Sequence, residues 1–205
     1  GHRRSRGAIA LAVAVALTGC DRPASAPAST TVAVAAASDL RFVFASLSDA
    51  FARTHPGFTV VPTFGSSGTL CAQLAQGAPF DVFLSADAEY PERLVTAGVA
   101  RPESATDYAR GRLVLWVRAD SPLDIAARRL DDILRDPGLR HLALANPDHA
   151  PYGRAAVLAL TTLGLVDALR PRFALGDHVA QAAQFVQSGA ADAGIIARSL
   201  ALAPE

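Results

Sequence analysis

Residues 64–74, FGSSGTLCAQL, place two glycines and two serines where an apolar run, FTVVPTF (58–64), gives way to a helical pattern. Such a strand-to-helix turn presents backbone N–H groups and hydroxyls at a helix N-terminus, which suits an anion. Gly65 and Gly68 let the main chain come close to a ligand, while Ser66 and Ser67 add donors that carry no charge. Capping of the helix by the same serines is the plainer use of the turn. A second junction, AVAAASDLRFVFASLSDAF (33–51), has the same form, running from an apolar strand through Ser38 into a helix. Leu40, Val43, Phe44, Leu47 and Phe51 recur there at helical spacing, with Ser38 at the N-cap position and Asp39 in the first turn.

Two further loops have donor character. In NPDHAPYGRAAVLAL (146–160), Pro and Gly make a loop before a helix, and Ala150, Tyr152 and Gly153 can turn N–H groups toward a ligand. In LGDHVAQAAQFVQSG (175–189), Asp177 is the expected cap of a helix that includes His178 and Val179 near its start. A plain loop and a plain cap are the simpler uses of these two.

The elements that must hold these turns alternate. Strand 32–36, helix 39–53, strand 58–64, helix 69–76, strand 81–86 and helix 88–97 follow one another, a βαβαβα order that predicts an α/β fold with a parallel sheet. The pattern restarts near Arg110 with a strand over 111–119, a helix over 128–136, a buried strand over 141–145 and a last strand, AGIIA, over 193–197. Two α/β lobes are therefore expected, 31–109 and 110–198. In open α/β sheets ligands bind at the carboxyl ends of the strands, where all four turns would open.

Composition narrows the function classes. The 205 residues are 51% apolar and 19% charged, enough for a sizeable core. Nineteen basic residues, all Arg, balance nineteen acids, and without a basic stripe interleaved with aromatics no nucleic-acid partner is expected. His2, Arg3, Arg4 and Arg6 precede the apolar AIALAVAVALTG (8–19), which has the dimensions of a secretory signal. LTGC (17–20) resembles a bacterial lipobox, so 1–19 is expected to be a signal peptide and Cys20 the lipidated N-terminus. DRPASAPAST (21–30) would then be the tether between membrane and fold. The product would be an exported protein, periplasmic or at the cell surface.

Enzyme chemistry finds little support. Cys71, in the first turn after GSSGT, is a candidate thiolate because a helix N-terminus lowers a thiol pKa, but no His lies near it in sequence and packing explains it better. GSSGT lacks the glycine spacing of a GxSxG nucleophile elbow. The scattered His55, His141, His149 and His178 show no metal-ligand spacing. Neither a metal site nor a cofactor is expected.

Taken together, AAASDL (35–40), FGSSGTLCAQLAQGAPFDVFLSAD (64–87), NPDHAPYG (146–153) and GDHVAQAAQFVQSGAADAGII (176–196) resemble the molybdate-binding proteins of bacterial ABC importers, from about Val32 onward. The resemblance implies a two-lobe periplasmic binding protein fold, each lobe a mainly parallel sheet flanked by helices, closing on molybdate or tungstate. It implies Ser38 and Ser67 as hydroxyl donors, Tyr152 and Val179 as backbone donors, Ser66 and Asp39 as supporting residues, and a permease–ATPase complex as partner of a monomeric, non-enzymatic receptor. Some members add a Tyr hydroxyl after the last strand. Ala197 stands there, with Tyr152 as a candidate substitute. Asp39 is expected to point away and serve the helix dipole, since a carboxylate repels a dianion. A donor-only pocket of that kind would prefer molybdate and tungstate to sulfate, and all three to phosphate, whose proton needs an acceptor. Members of the family continue past the position matching Glu205, so 199–205 are expected to begin a return to the first lobe, with the remainder missing.

Overall fold

The computed structural model describes residues 29–203. The leader, Cys20 and nearly all of the tether lie outside these residues. Among the described residues no helix is long and apolar enough to cross a membrane.

The first sheet has the order β2-β1-β3, all parallel, with β1 Thr30–Ala37, β2 Phe58–Gly65 and β3 Val82–Leu84. β1 is central, and its end, Ala35–Ala37, is buried; small side chains there let the chain pack closely on both faces. Helices α1 (Phe44–Thr54), α2 (Ser67–Ala75) and α3 (Glu89–Thr96) follow the three strands in turn. Leu70, Cys71, Leu74, Tyr90 and Leu94 pack on one face with Ala35, and Phe44 packs on the other with Val34 and Ala36. The helix expected over 39–53 opens instead as a 3₁₀ turn, Ser38–Leu40, and α1 begins only at Phe44. Of its apolar stripe only Phe44 is buried, while Leu47 and Phe51 are exposed.

The second sheet has the order β4-β7-β5-β6, with β4 Leu113–Trp116, β5 Leu142–Ala145, β6 Phe173–Gly176 and β7 Ala193–Ala197. β5 pairs in parallel with both β6 and β7, while β4 is antiparallel to β7. β6 is a strand that the sequence pattern does not separate from the loop before it. The helices are α4 (Leu130–Leu134), α5 (Pro151–Thr162), α6 (Val166–Leu169), α7 (Val179–Gln187) and α8 (Arg198–Ala201). β5 and β7 are buried throughout, as expected of strands covered on both faces. Leu142 and Leu144 face a cluster with Leu160, Leu165 and Leu169, and Ala143 and Ala145 face one built on α7.

Register positions the turns. Ala37 pairs with Gly65 at the ends of β1 and β2, and Ala145 pairs with Gly176 at the ends of β5 and β6. Each pair of strands therefore finishes level, and the turn after one lies beside the turn after its neighbour.

Candidate functional site

The four donor turns meet between the two sheets. Ser38, Ser67, Tyr152 and Val179 all line one small cleft, together with Asp39, Gly65 and Ser66. Its volume is about 10 Å3, no more than a single water requires.

Both serines of the first sheet are buried, Ser38 at 2% and Ser67 at 1% exposure. Ser67 Oγ accepts the N–H of Ala86 at 2.9 Å, and Ser38 Oγ accepts the N–H of Ala180 in α7 at 3.3 Å. Neither hydroxyl donates to another group among the described residues. Each O–H proton therefore remains for whatever occupies the cleft, and each oxygen is held in place by a main-chain donor. Ser66 is different. Its Oγ donates to Thr69 Oγ1 at 2.8 Å, accepts the Thr69 N–H at 3.3 Å and lies by the His149 ring, so it is the N-cap of α2 and is engaged within the protein.

The second sheet contributes helix N-termini. Gly153 N–H donates to Ala150 O and Ala150 N–H to Asn146 O, which removes two of the three donors expected in that loop. The N–H of Tyr152, one residue into α5, has no partner among the described residues, nor has that of Val179 at the start of α7. These are orphan donors that a helix start leaves over. Gly153 is required because a Cβ there would overlap Ala145 O, where α5 presses on the end of β5. At α7 the cap is His178 and not Asp177, since His178 Nδ1 accepts the Gln181 N–H at 3.1 Å while Asp177 is exposed. Burial, aided by the charge of Arg41, holds the His178 imidazole below its usual pKa, and the neutral ring supplies the lone pair the cap needs.

Several contacts tie the halves together beside the cleft. Gly68 N–H donates to His149 O at 3.0 Å, so the close approach this glycine permits is to the facing loop. Ser66 Oγ lies 3.0 Å from His149 Nδ1. Arg154 of α5 reaches Asp87 Oδ2 at 2.7 Å, Glu89 Oε2 at 3.6 Å and the Tyr90 hydroxyl. The Ser66–His149 pair was hidden by 83 residues of separation. A nucleophilic serine also needs its base oriented by a third group, and among the described residues no carboxylate bonds the His149 ring.

Asp39 departs from expectation. Its side chain turns across the interface, and Oδ2 accepts the Tyr152 hydroxyl at 2.9 Å. Oδ1 is buried with no hydrogen-bond partner. Burial outweighs the Tyr152 bond and raises the Asp39 pKa above the usual carboxylate value. Tyr152 in turn is pushed well above the ordinary tyrosine range, by burial first and then by the charge of Asp39. With its proton committed to Asp39, the Tyr152 hydroxyl does not replace the donor absent at Ala197, which is itself fully buried in β7.

Cys71 is buried, its thiol directed at Tyr90 O, and burial raises its pKa, so it is a core residue and no thiolate. Among the described residues no cluster of three or more His, Cys, Asp or Glu could hold a metal ion. A larger groove of about 1200 Å3 runs from β3 and α3 to Arg198, and of the four turns it touches only Asp39, Leu40 and Tyr152.

Residues 32–205 match the family model described as bacterial extracellular solute-binding protein. The chain is 42% identical over 151 residues to the molybdate-binding protein ModA of Rhodobacter capsulatus, covering 73% of this chain and 57% of that protein. It is 41% identical over 143 residues to the ModA of Azotobacter vinelandii, covering 70% and 55%. Its fold is similar to the solved periplasmic molybdate-binding protein of Azotobacter vinelandii, with a TM-score of 0.74 at 40% identity over 81% of this chain and 71% of that one. The chain thus spans a little over half the length of the first two relatives.

Proposed function

The chain belongs to the bacterial extracellular solute-binding protein family, and we propose that it is the receptor of an ABC importer, capturing molybdate or tungstate between its two halves. One observation carries this reading: Ser38 and Ser67 each accept a main-chain N–H and keep their own proton for the cleft. The orphan N–H groups of Tyr152 and Val179 stand opposite them, from the other sheet. Fixed neutral dipoles of this kind replace an anion's water shell without leaving a buried charge when the ligand departs. A receptor that must release its cargo needs that balance. The similarity to molybdate-binding proteins supports the choice of anion.

The cleft has little free volume, so the two halves part to admit a tetrahedral anion and close again around it. The lobes in this reading are 31–109 and 110–198. The protein acts outside the cytoplasm as a monomer, anchored through Cys20, and delivers the anion to a permease–ATPase complex; the cleft binds its ligand and transforms nothing.

Calorimetric titration of the chain with molybdate, tungstate, sulfate and phosphate tests the proposal. Molybdate and tungstate should bind most tightly. Tighter binding of sulfate would make it a receptor for another oxyanion, and the absence of any anion binding would overturn the reading.

A further inference from the structure

Asp39 is a carboxylate in the wall of a cleft that otherwise offers only neutral donors. It lines both the small cleft and the larger groove. One oxygen, Oδ2, is engaged by Tyr152 from α5. The other, Oδ1, is buried without a partner. A buried acceptor left unpaired is costly, and a buried negative charge more so.

The surroundings do not neutralise it. Among the described residues no guanidinium or imidazole comes within 4.0 Å of the Asp39 carboxylate. Tyr108 is near enough for the charge of Asp39 to raise it, after burial, to about 12, but its hydroxyl is committed to Ser85 O at 2.8 Å. From the start of α8, Ser199 Oγ donates to the Asp39 main-chain oxygen at 3.0 Å and so leaves the carboxylate unserved. Arg198, Arg110 and Arg112 line the larger groove. On the α7 side His178 is held neutral, and the charge of Arg41 acts on that ring.

We propose that Asp39 makes this a proton-linked anion site, in which the oxyanion is held together with one proton shared between Asp39 Oδ1 and a ligand oxygen. The inference rests on the oxyanion reading of the cleft. A fully deprotonated dianion such as molybdate takes that proton from solvent: the carboxylate gains an O–H bond at Oδ1, which then donates to the anion. Hydrogen phosphate brings the proton with it, and Oδ1 accepts from its hydroxyl. The phosphate arrangement then carries one negative charge more than the molybdate one, because no proton is taken from solvent. Asp39 is then the specificity-determining residue, admitting protonated anions that a donor-only pocket excludes.

The raised pKa of Asp39 agrees with this arrangement. Calorimetry of the full chain with molybdate, in buffers of different ionisation enthalpy, reads the proton directly. At pH values above the Asp39 pKa of the free protein, wild type should take up close to one proton per molybdate, with affinity there falling about tenfold per pH unit. Asp39→Asn should bind molybdate with no proton uptake and no such slope, and should lose phosphate relative to molybdate by at least about tenfold. Molybdate binding without proton uptake at every pH where wild type binds it overturns the inference and leaves the oxyanion reading standing. Absence of binding by molybdate and phosphate alike overturns both, and the wild-type measurement alone decides between these outcomes.

Discussion

The N–H of Gly68 donates to the carbonyl oxygen of His149 at 3.0 Å, and a Cβ on Gly68 would overlap that oxygen and stand 2.9 Å from the Tyr90 hydroxyl. Closure of the two halves is therefore built on the absence of a side chain at one position. Gly68→Ala favours the helix locally, yet it must hold the facing loop away. Affinity for the anion should fall roughly ten- to a hundredfold, the equivalent of about 1.4 to 3 kcal/mol, with the far-ultraviolet circular dichroism unchanged. Calorimetry on the variant checks this, and unchanged affinity would show that closure does not require the contact.

Ser38→Ala and Ser67→Ala remove the two hydroxyl donors. Each should cost about 1.5 to 3 kcal/mol of binding, or roughly ten- to a hundredfold in affinity, as expected for hydrogen bonds to a charged group. Each also leaves a main-chain N–H, of Ala180 or Ala86, without its acceptor. A lower melting temperature in the ligand-free protein should accompany the loss. Ser66→Ala provides the contrast, losing a helix cap worth about 1 kcal/mol and little affinity.

Arg154 joins the halves by charge. Its side chain is 35% exposed and that of Asp87 34%, so solvent screens the pair and its contribution is at most about 1 kcal/mol. Arg154→Gln should weaken anion binding by no more than about fivefold at low salt. Raising ionic strength should shrink the difference between variant and wild type, because screening acts on the charge and not on the hydroxyl donors. Affinities at two salt concentrations distinguish this clamp from the serines.

His178 gives the fold a pH dependence of definite sign. Its folded pKa lies below the usual value of 6.5 because burial disfavours the charged ring. The stabilisation from the neutral capping ring is fully present above that ordinary value and is lost as pH falls through the lowered one. Thermal melts should show wild type losing stability on acidification below about pH 6.5, with His178→Asn, a cap that does not titrate there, losing less. Equal losses in both proteins would remove His178 as the source.

Sequence alone determined the four turns and, β6 apart, the main strands around them. Strand-to-helix junctions such as FGSSGT are local patterns, in which apolar periodicity and short polar residues fix where a strand stops and a helix starts; AAASDL fixes the end of β1 but not the start of α1. AGIIA could be read as β7 for the same reason, residue for residue. What the sequence left open was every relationship across the interface. Asp39 was expected to face away, because nothing within a few residues of it reveals Tyr152, 113 positions later. Read locally, Gly68 faces a ligand; its neighbour in the fold, His149, belongs to the other half of the chain. Propensity favours Asp177 over His178 as the cap, and only the packing of the ring decides otherwise. The antiparallel run of β4 is likewise a matter of which strand it meets, not of what LVLW contains. Local structure follows from forces acting over a few residues; the site depends on which buried groups are left without water once two sheets come together.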